Sequence, residues 1–231
     1  MPDLSPTPAL ATPDCSVVEL RQYTLHPGRR DTLIELFDRE FVETQEAVGM
    51  RVIGQFRDLD DADRFVWLRG FADMASRGAA LPAFYGGPAW AAHRDAANAT
   101  MVDSDDVLLL RPVQALASAD RRGTVQGAGC VRGLVVHLGE PAGDALLAAW
   151  RSVPAGDARW QACYVTEAAA NNFPRLPVRE GEPVLVALAA FAGAASAEAW
   201  AQALDARLQP WQRRPSQHLR LSATARSALQ P

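Results

Sequence analysis

The sequence predicts an α+β protein built from two tandem β-α-β-β-α-β units. Over residues 17–112, strand-like alternation and helix-like spacing of apolar residues follow one another in that order. The order then recurs, and three segments correspond in pairs: DTLIELF (31–37) with DALLAAW (144–150), FVWLRGF (65–71) with LVALAAF (185–191), and VLLLRP (107–112) with HLRLSA (218–223). The 231 residues suffice for two units of about 110 residues each.

The first unit begins with a predicted strand over residues 17–25. Side chains alternate between the two faces of a strand, so one face carries Glu19, Arg21 and Tyr23. A helix with apolar residues at helical spacing follows. We expect the Asp31 carboxylate to cap its N-terminus and Gly49 to end it in left-handed backbone.

The rest of the first unit is predicted as two strands, two helical segments and a final strand, over residues 50–57, 64–71, 73–84, 89–99 and 107–111. Tyr85-Gly86-Gly87-Pro88 interrupts the helical region. Pro88 suits the first position of a helix, where the N–H that proline lacks has no partner.

Four regions are predicted along the chain. A Pro-rich N-terminal arm covers residues 1–15, the first unit 16–113, a linker rich in Ala, Ser and Gly 114–129, and a second, divergent unit 130–231. The arm has neither the positive charge nor the apolar run of a signal peptide. No apolar run reaches the roughly 20 residues that span a bilayer, so we expect no membrane partner.

Composition predicts a cytoplasmic bacterial protein. The formal net charge of -4 gives no reason to expect a nucleic-acid partner. Every basic residue is Arg and Ala is abundant, which indicates a GC-rich bacterial genome. Cys15, Cys130 and Cys163 are few and odd in number and show no CxxC spacing, which favours a reducing compartment over a disulfide framework or zinc site.

The polar face of the first unit's sheet carries the candidate binding residues. A single unit leaves one sheet face uncovered, and two tandem units can bring those faces together, so we expect the polar face to lie there. Its buried charges must then pair, and Glu19 with Arg21 or Arg69 is the obvious pairing. The face is predicted to form either a structural ion-pair network or a polar ligand pocket, with candidate residues Glu19, Arg21, Tyr23, Gln55, Trp67 and Arg69.

The segment after the third strand carries the candidate catalytic residues. Tyr85 precedes the Gly-Gly-Pro break, and Trp90, Arg94 and Asn98 follow at i,i+4 spacing, which places them on one helix face. His93 is the candidate general base, Tyr85 or Tyr23 a donor to a substrate oxygen, and an arginine the anchor for a carboxylate or enolate. The alternative is that Trp90 is core packing and His93 a surface histidine.

No metal or cofactor is predicted. His26, His93, His137 and His218 are scattered, without HxxxH spacing or a carboxylate cluster. There is no GxSxG nucleophile motif, and no helix opens at Gly133 as a phosphate-binding loop requires.

Three segments resemble the NIPSNAP family: ELRQYTLHPG (19–28), GMRVIGQFRDLDDADRFVWLRGFADM (49–74) and FYGGPAWAAHRDAANATMVDSDDVLLLRP (84–112). The resemblance covers residues 17–113. Residues 130–224 resemble a degraded second copy that has lost the E-x-R-x-Y and YGGP-x-W residues. The resemblance implies the dimeric α+β barrel, in which two ferredoxin-like sheets face each other. That superfamily includes small monooxygenases, muconolactone-type isomerases and haem-dependent enzymes, so haem is the one alternative to a cofactor-free protein.

Two functions remain open at this point. In the first, a cleft between sheet and helices of the first unit binds a small organic molecule and runs a cofactor-free isomerisation, cyclisation or oxygenation. In the second, the chain is a non-catalytic ligand-binding or protein-interaction module. The loss of polar residues from the second copy predicts one pocket per chain, and a homo-oligomer is possible for this fold.

Overall fold

A computed structural model of the chain describes residues 15–114 and 129–231. In these residues eight antiparallel strands close into one barrel, in the order β1-β3-β2-β8-β5-β7-β6-β4. The strands are β1 Val17–Leu25, β2 Arg51–Asp58, β3 Arg64–Phe71, β4 Met101–Gln114, β5 Cys130–His137, β6 Trp160–Thr166, β7 Val184–Phe191 and β8 Gln217–Ala223. The predicted arm and linker lie outside the described residues, apart from Cys15, Gln114 and Gly129.

Each half of the chain contributes four neighbouring strands to the barrel. The first half supplies β4-β1-β3-β2 and the second β8-β5-β7-β6. The two sheets join where β2 pairs with β8 and where β4 pairs with β6. Among the described residues, closing the barrel gives every strand a hydrogen-bonded neighbour on each side, so the sheet has no edge strand.

The helices lie outside the barrel, and their bounds are α1 Arg30–Leu36, α2 Val42–Glu46, α3 Met74–Tyr85, α4 Pro88–Asn98, α5 Asp144–Arg151 and α6 Ala194–Leu208. A π-helical turn at Phe37–Phe41 joins α1 to α2. Gly49 follows α2 with φ +89°, the left-handed conformation expected for it. None of the helices in the described ranges combines the length and apolar character needed to cross a bilayer.

Two local predictions were wrong. The residue before α1 is Arg29, without a side-chain cap, and the Asp31 carboxylate instead pairs with Arg57 on β2. β4 begins at Met101, six residues before the predicted start at Val107, because pairing with β1 extends as far as Leu25. Tertiary pairing overrides the local pattern DSDD, which is unfavourable in a strand.

The orientation of the first sheet was also predicted wrongly. Its apolar face, not its polar face, turns toward the second half. Val18, Leu20, Val66 and Leu68 line the barrel and pack against apolar side chains of the second half such as Val131. Closing the barrel on aliphatic side chains removes a large apolar area from water, whereas enclosing charges there would carry a desolvation cost. The polar face therefore lies outside, covered by the helices.

Candidate functional site

A fully buried carboxylate, Glu19 on β1, organises the outer face of the first sheet. Its Oε2 accepts hydrogen bonds from Arg21 Nη1 and Arg69 Nε, both at 2.7 Å. Its Oε1 accepts from Arg77 Nε at 2.8 Å. Glu19 and the three arginines are at most 1% exposed. Three guanidinium cations thus share one carboxylate and leave the buried cluster with a net charge of +2.

The charges around Glu19 set its protonation. Burial by itself raises the pKa of the Glu19 carboxyl, but Arg69, Arg21 and Arg77 outweigh burial and hold this pKa well below its usual range. Burial lowers the pKa of Arg77, and the nearby Glu19 offsets only part of that effect. Glu19 is therefore ionised at neutral pH, as the partner of three cations.

Arg77 was missed by sequence reasoning. Asp73 caps α3 by accepting a hydrogen bond from the Ser76 backbone N–H, which fixes the start of the helix. Arg77 then lies three to four residues before Ala80 and Leu81, on the same buried face. A charged residue at a core position of an amphipathic helix was the signal for a buried partner.

Aromatic rings surround the arginines. The Arg69 guanidinium lies 5.3 Å from the Trp67 ring centroid and 5.7 Å from that of Tyr85. Arg21 lies 5.4 Å from the Tyr23 centroid. The π-helical turn directs Phe37 and Phe41 toward this cluster, with Phe37 edge-on to Trp67 at 4.8 Å. Cation–π contacts help to compensate for the desolvation of the guanidinium groups.

Two neighbouring cavities open beside the cluster. The outer one has a volume of about 420 Å³, and its wall includes Arg21, Tyr23, Tyr85, Trp90, Arg94 and Asn98. The inner one, about 30 Å³, extends from the same tyrosines toward Trp67 and Phe37. Trp67 Nε1 is buried and has no hydrogen-bond partner in the described residues. The inner cavity thus has room for a small polar group such as a ligand oxygen.

The two predicted catalytic residues are not together. Tyr85 lines both cavities, and its hydroxyl oxygen accepts a hydrogen bond from Arg69 Nη1 at 3.3 Å. His93 lines neither cavity. Its Nε2 lies 3.3 Å from a carboxylate oxygen of Glu40 in the π-helical turn. Trp90, Arg94 and Asn98 lie on the cavity face of α4. His93 lies on a different face, because successive residues of a helix are rotated by about 100°.

The predicted binding residues divide into lining and supporting groups. Tyr23, Arg21, Trp90, Arg94 and Asn98 line the outer cavity, and Trp67 lines the inner one. Glu19 and Arg69 lie behind that wall. Gln55 lines neither cavity, since its amide donates to Asp38 at 2.6 Å and its backbone N–H to Ser227.

The second half also reaches this site. The segment between β6 and β7, residues 167–183, crosses to the first half because β6 pairs with β4. Arg77 Nη1 donates to Asn171 Oδ1 at 3.0 Å and to Asn172 Oδ1 at 2.7 Å. The Phe173 ring lies nearly parallel to that of Tyr85, with centroids 6.2 Å apart. No local pattern in the sequence indicates these contacts between the halves.

The corresponding positions in the second half carry no such cluster. β1 pairs with β3 as β5 pairs with β7, with Val17 opposite Phe71 and Cys130 opposite Phe191. In this register Arg132 occupies the Glu19 position, and the positions of Arg21, Arg69 and Arg77 are occupied by Leu134, Ala189 and Ala197. Aliphatic packing therefore replaces the cation cluster.

Within residues 15–114 and 129–231, no cluster of three or more His, Cys, Asp or Glu residues is able to hold a metal ion. Burial raises the pKa of the Cys163 thiol to about 12, so this cysteine in β6 is a protonated core residue.

Comparison with known proteins gives a family-model match over the first half of the chain and a fold for the whole. The NIPSNAP family model matches residues 18–116. A proposed monooxygenase from Lactobacillus acidophilus NCFM is 11% identical, with 91% of this chain and 94% of that chain covered and a TM-score of 0.57. An anthrone oxidase-like protein is 13% identical, with 94% and 96% covered and a TM-score of 0.58.

A third comparison covers the first half alone. An uncharacterized NIPSNAP domain protein from Burkholderia xenovorans is 17% identical, with 42% of this chain and 94% of that chain covered and a TM-score of 0.39. No match was found among curated proteins. The likenesses that cover both halves show the α+β barrel fold of the chain.

Proposed function

We propose that the first half of the chain, in which residues 18–116 match the NIPSNAP family model, binds a small aromatic organic anion in its outer cavity. One observation carries the proposal: the buried cluster beside the cavity has three guanidinium cations and a single carboxylate. Surplus buried positive charge is costly without a counter-ion, and an anionic ligand would supply one. The surrounding rings of Tyr23, Tyr85 and Trp90 would hold a planar ligand.

The proposed architecture is a tandem pair of ferredoxin-like units with one pocket per chain. Both halves have the element order β-α-β-β-α-β, and each contributes neighbouring strands. Binding is proposed to need no haem or other cofactor. The second unit would serve as scaffold, because Leu134, Ala189 and Ala197 replace the arginines there.

The test compares two naphthalene probes that differ in charge. We expect saturable fluorescence binding of 8-anilinonaphthalene-1-sulfonate (ANS) to the full chain, and weaker binding of neutral N-phenyl-1-naphthylamine. Trp90→Leu, which removes a cavity wall, should weaken both probes. Equal affinity for both probes, or binding unaffected by Trp90→Leu, would contradict the proposal. Native mass spectrometry of the same sample would reveal a retained natural ligand.

A second candidate function is a cofactor-free reaction of a bound enolate or phenolate. The observation in its favour is a pair of phenols at the cavity. The Tyr23 oxygen accepts from Arg21 Nε at 3.0 Å and the Tyr85 oxygen accepts from Arg69. Each O–H group is then left to donate to a ligand oxygen, where it would stabilise developing negative charge.

Oxygen uptake with anthrone as probe tests this second candidate. Oxygenation would consume one O2 per anthrone and yield anthraquinone and water, which balances the atoms. Uptake that is abolished in Tyr85→Phe would support catalysis at this site. Absence of uptake, together with ANS binding, would leave the non-catalytic ligand-binding module as the function.

A further inference from the structure

The segment from the second half that reaches the candidate site is a structured turn. Asn171 Nδ2 donates to the Leu176 carbonyl at 2.9 Å, and the Phe173 N–H donates to Asn171 Oδ1 at 3.1 Å. The Leu176 N–H donates to the Phe173 carbonyl at 3.0 Å. Residues 171–176 are thus held by their own hydrogen bonds before any ligand arrives.

The same turn is fixed to the first half at two places. At the first, Asn171 and Asn172 accept hydrogen bonds from Arg77, which itself donates to Glu19. Phe173, 9% exposed, lies against Tyr85. Near the β-strand end of the segment, Arg179 Nη1 donates to Asp106 on β4 at 3.0 Å. The turn is therefore part of the first half's wall.

Arg175 lies at the tip of this turn and lines the outer cavity together with Arg94. Among residues 15–114 and 129–231, no carboxylate lies within ion-pair distance of Arg175. The one carboxylate in the cavity wall is Asp95, which pairs with Arg94 at 3.5 Å and is 94% exposed. The mouth of the cavity thus has two cations and a single, solvated anion.

We propose that the turn at residues 171–176 completes the first half's binding site, and that Arg175 holds the acidic group of an aromatic acid. This inference rests on the proposed function. The ring of the ligand would lie among Tyr85, Trp90 and Phe173. Its carboxylate or sulfonate would lie between Arg175 and Arg94 at the mouth and Arg21, the member of the buried cluster that lines the same cavity. The planar guanidinium group of Arg175 matches such an anion in two parallel hydrogen bonds.

The experiment is a titration of full-length variants with ANS and N-phenyl-1-naphthylamine. Arg175→Gln should weaken ANS binding about tenfold to hundredfold, the scale of one charge-assisted hydrogen bond, and leave the neutral probe within about twofold. The variant should also lose part of the salt dependence of ANS binding, which a purely structural role would not change. Phe173→Leu should weaken both probes. Arg151→Gln, an exposed arginine on α5, is the matched control and should change neither.

The outcomes separate this inference from the proposed function. If Trp90→Leu weakens ANS while Arg175→Gln leaves both its affinity and its salt dependence unchanged, the pocket stands and the role of Arg175 is overturned. If Arg151→Gln weakens ANS as much as Arg175→Gln does, the effect is one of net charge and the inference is also overturned. If neither probe shows saturable binding, both the proposed function and this inference are contradicted.

Discussion

Glu19 Oε1 accepts a hydrogen bond from Arg77 Nε at 2.8 Å, although 58 residues separate the two in the sequence. The contact joins β1 to α3 and holds the helix over the polar face of the sheet. Through Arg77 it also reaches the turn of the second half, since Asn171 and Asn172 accept from the same guanidinium group. One carboxylate thus connects both halves of the chain at the candidate site.

Replacing Glu19 should strongly destabilise the fold. Glu19→Gln leaves three buried arginines without their common anion, and breaking a buried pair in this way costs about 3–5 kcal/mol of unfolding free energy. Urea unfolding followed by circular dichroism measures the loss. Glu35→Gln, at an exposed position on α1, is the control and should stay within about 0.5 kcal/mol of wild type. A loss below about 1 kcal/mol for Glu19→Gln would mean that the arginines find other partners.

The Glu19 contribution should also depend on pH. Because its folded pKa lies well below the ordinary value of 4.5, the unfolded chain binds the proton more readily than the folded protein does. The stabilisation is therefore fully present above about pH 4.5 and is lost as the pH falls toward the folded pKa. Urea unfolding should show the difference between wild type and Glu19→Gln shrinking steadily between about pH 5 and pH 3. A difference that is independent of pH in this window would contradict the assignment.

The two candidate catalytic residues, Tyr85 and His93, should differ in their effect on ANS binding. Tyr85→Phe removes a hydroxyl at the cavity wall, and the loss of one hydrogen bond of about 1 kcal/mol predicts ANS affinity about threefold to tenfold lower. His93→Ala should leave ANS affinity unchanged, because His93 faces Glu40 and lines neither cavity. The reverse result, with His93→Ala the more damaging, would mean that α4 rotates on ligand binding.

Ligand stoichiometry should be one per chain. The second half carries Leu134, Ala189 and Ala197 where the first half carries its arginines, so it lacks the three-arginine cluster, and its buried Arg132 pairs with Glu198. Calorimetric titration or native mass spectrometry with ANS gives the ratio. Two equivalent sites per chain would contradict the asymmetry between the halves.

The cysteines should differ in reactivity. The Cys163 thiol is fully buried and burial raises its pKa to about 12, so thiolate is scarce at pH 8 and the sulfur is inaccessible. Iodoacetamide followed by peptide mass spectrometry should modify Cys163 only in urea. Cys130, which is partly exposed, provides the internal comparison. Rapid modification of native Cys163 would indicate that β6 opens locally.

Local patterns determined much of the fold and part of the site. Alternation along a strand is enough to place Glu19, Arg21 and Tyr23 on one face, and helical spacing places Trp90, Arg94 and Asn98 together. The element order and the approximate positions of the strands follow from the same periodicities. These features depend on residues close in sequence, so they can be predicted without knowledge of the fold.

Tertiary structure decided which way the polar face turns, which cations meet Glu19 and what closes the cavity. The aliphatic face of β1 and β3 closes the barrel because its burial is favourable, which leaves the charged face to the helices. Arg77 joins Glu19 only when α3 packs on the sheet, and Phe173 and Arg175 arrive only through the pairing of β6 with β4. Such contacts join residues tens of positions apart, and no local periodicity encodes them.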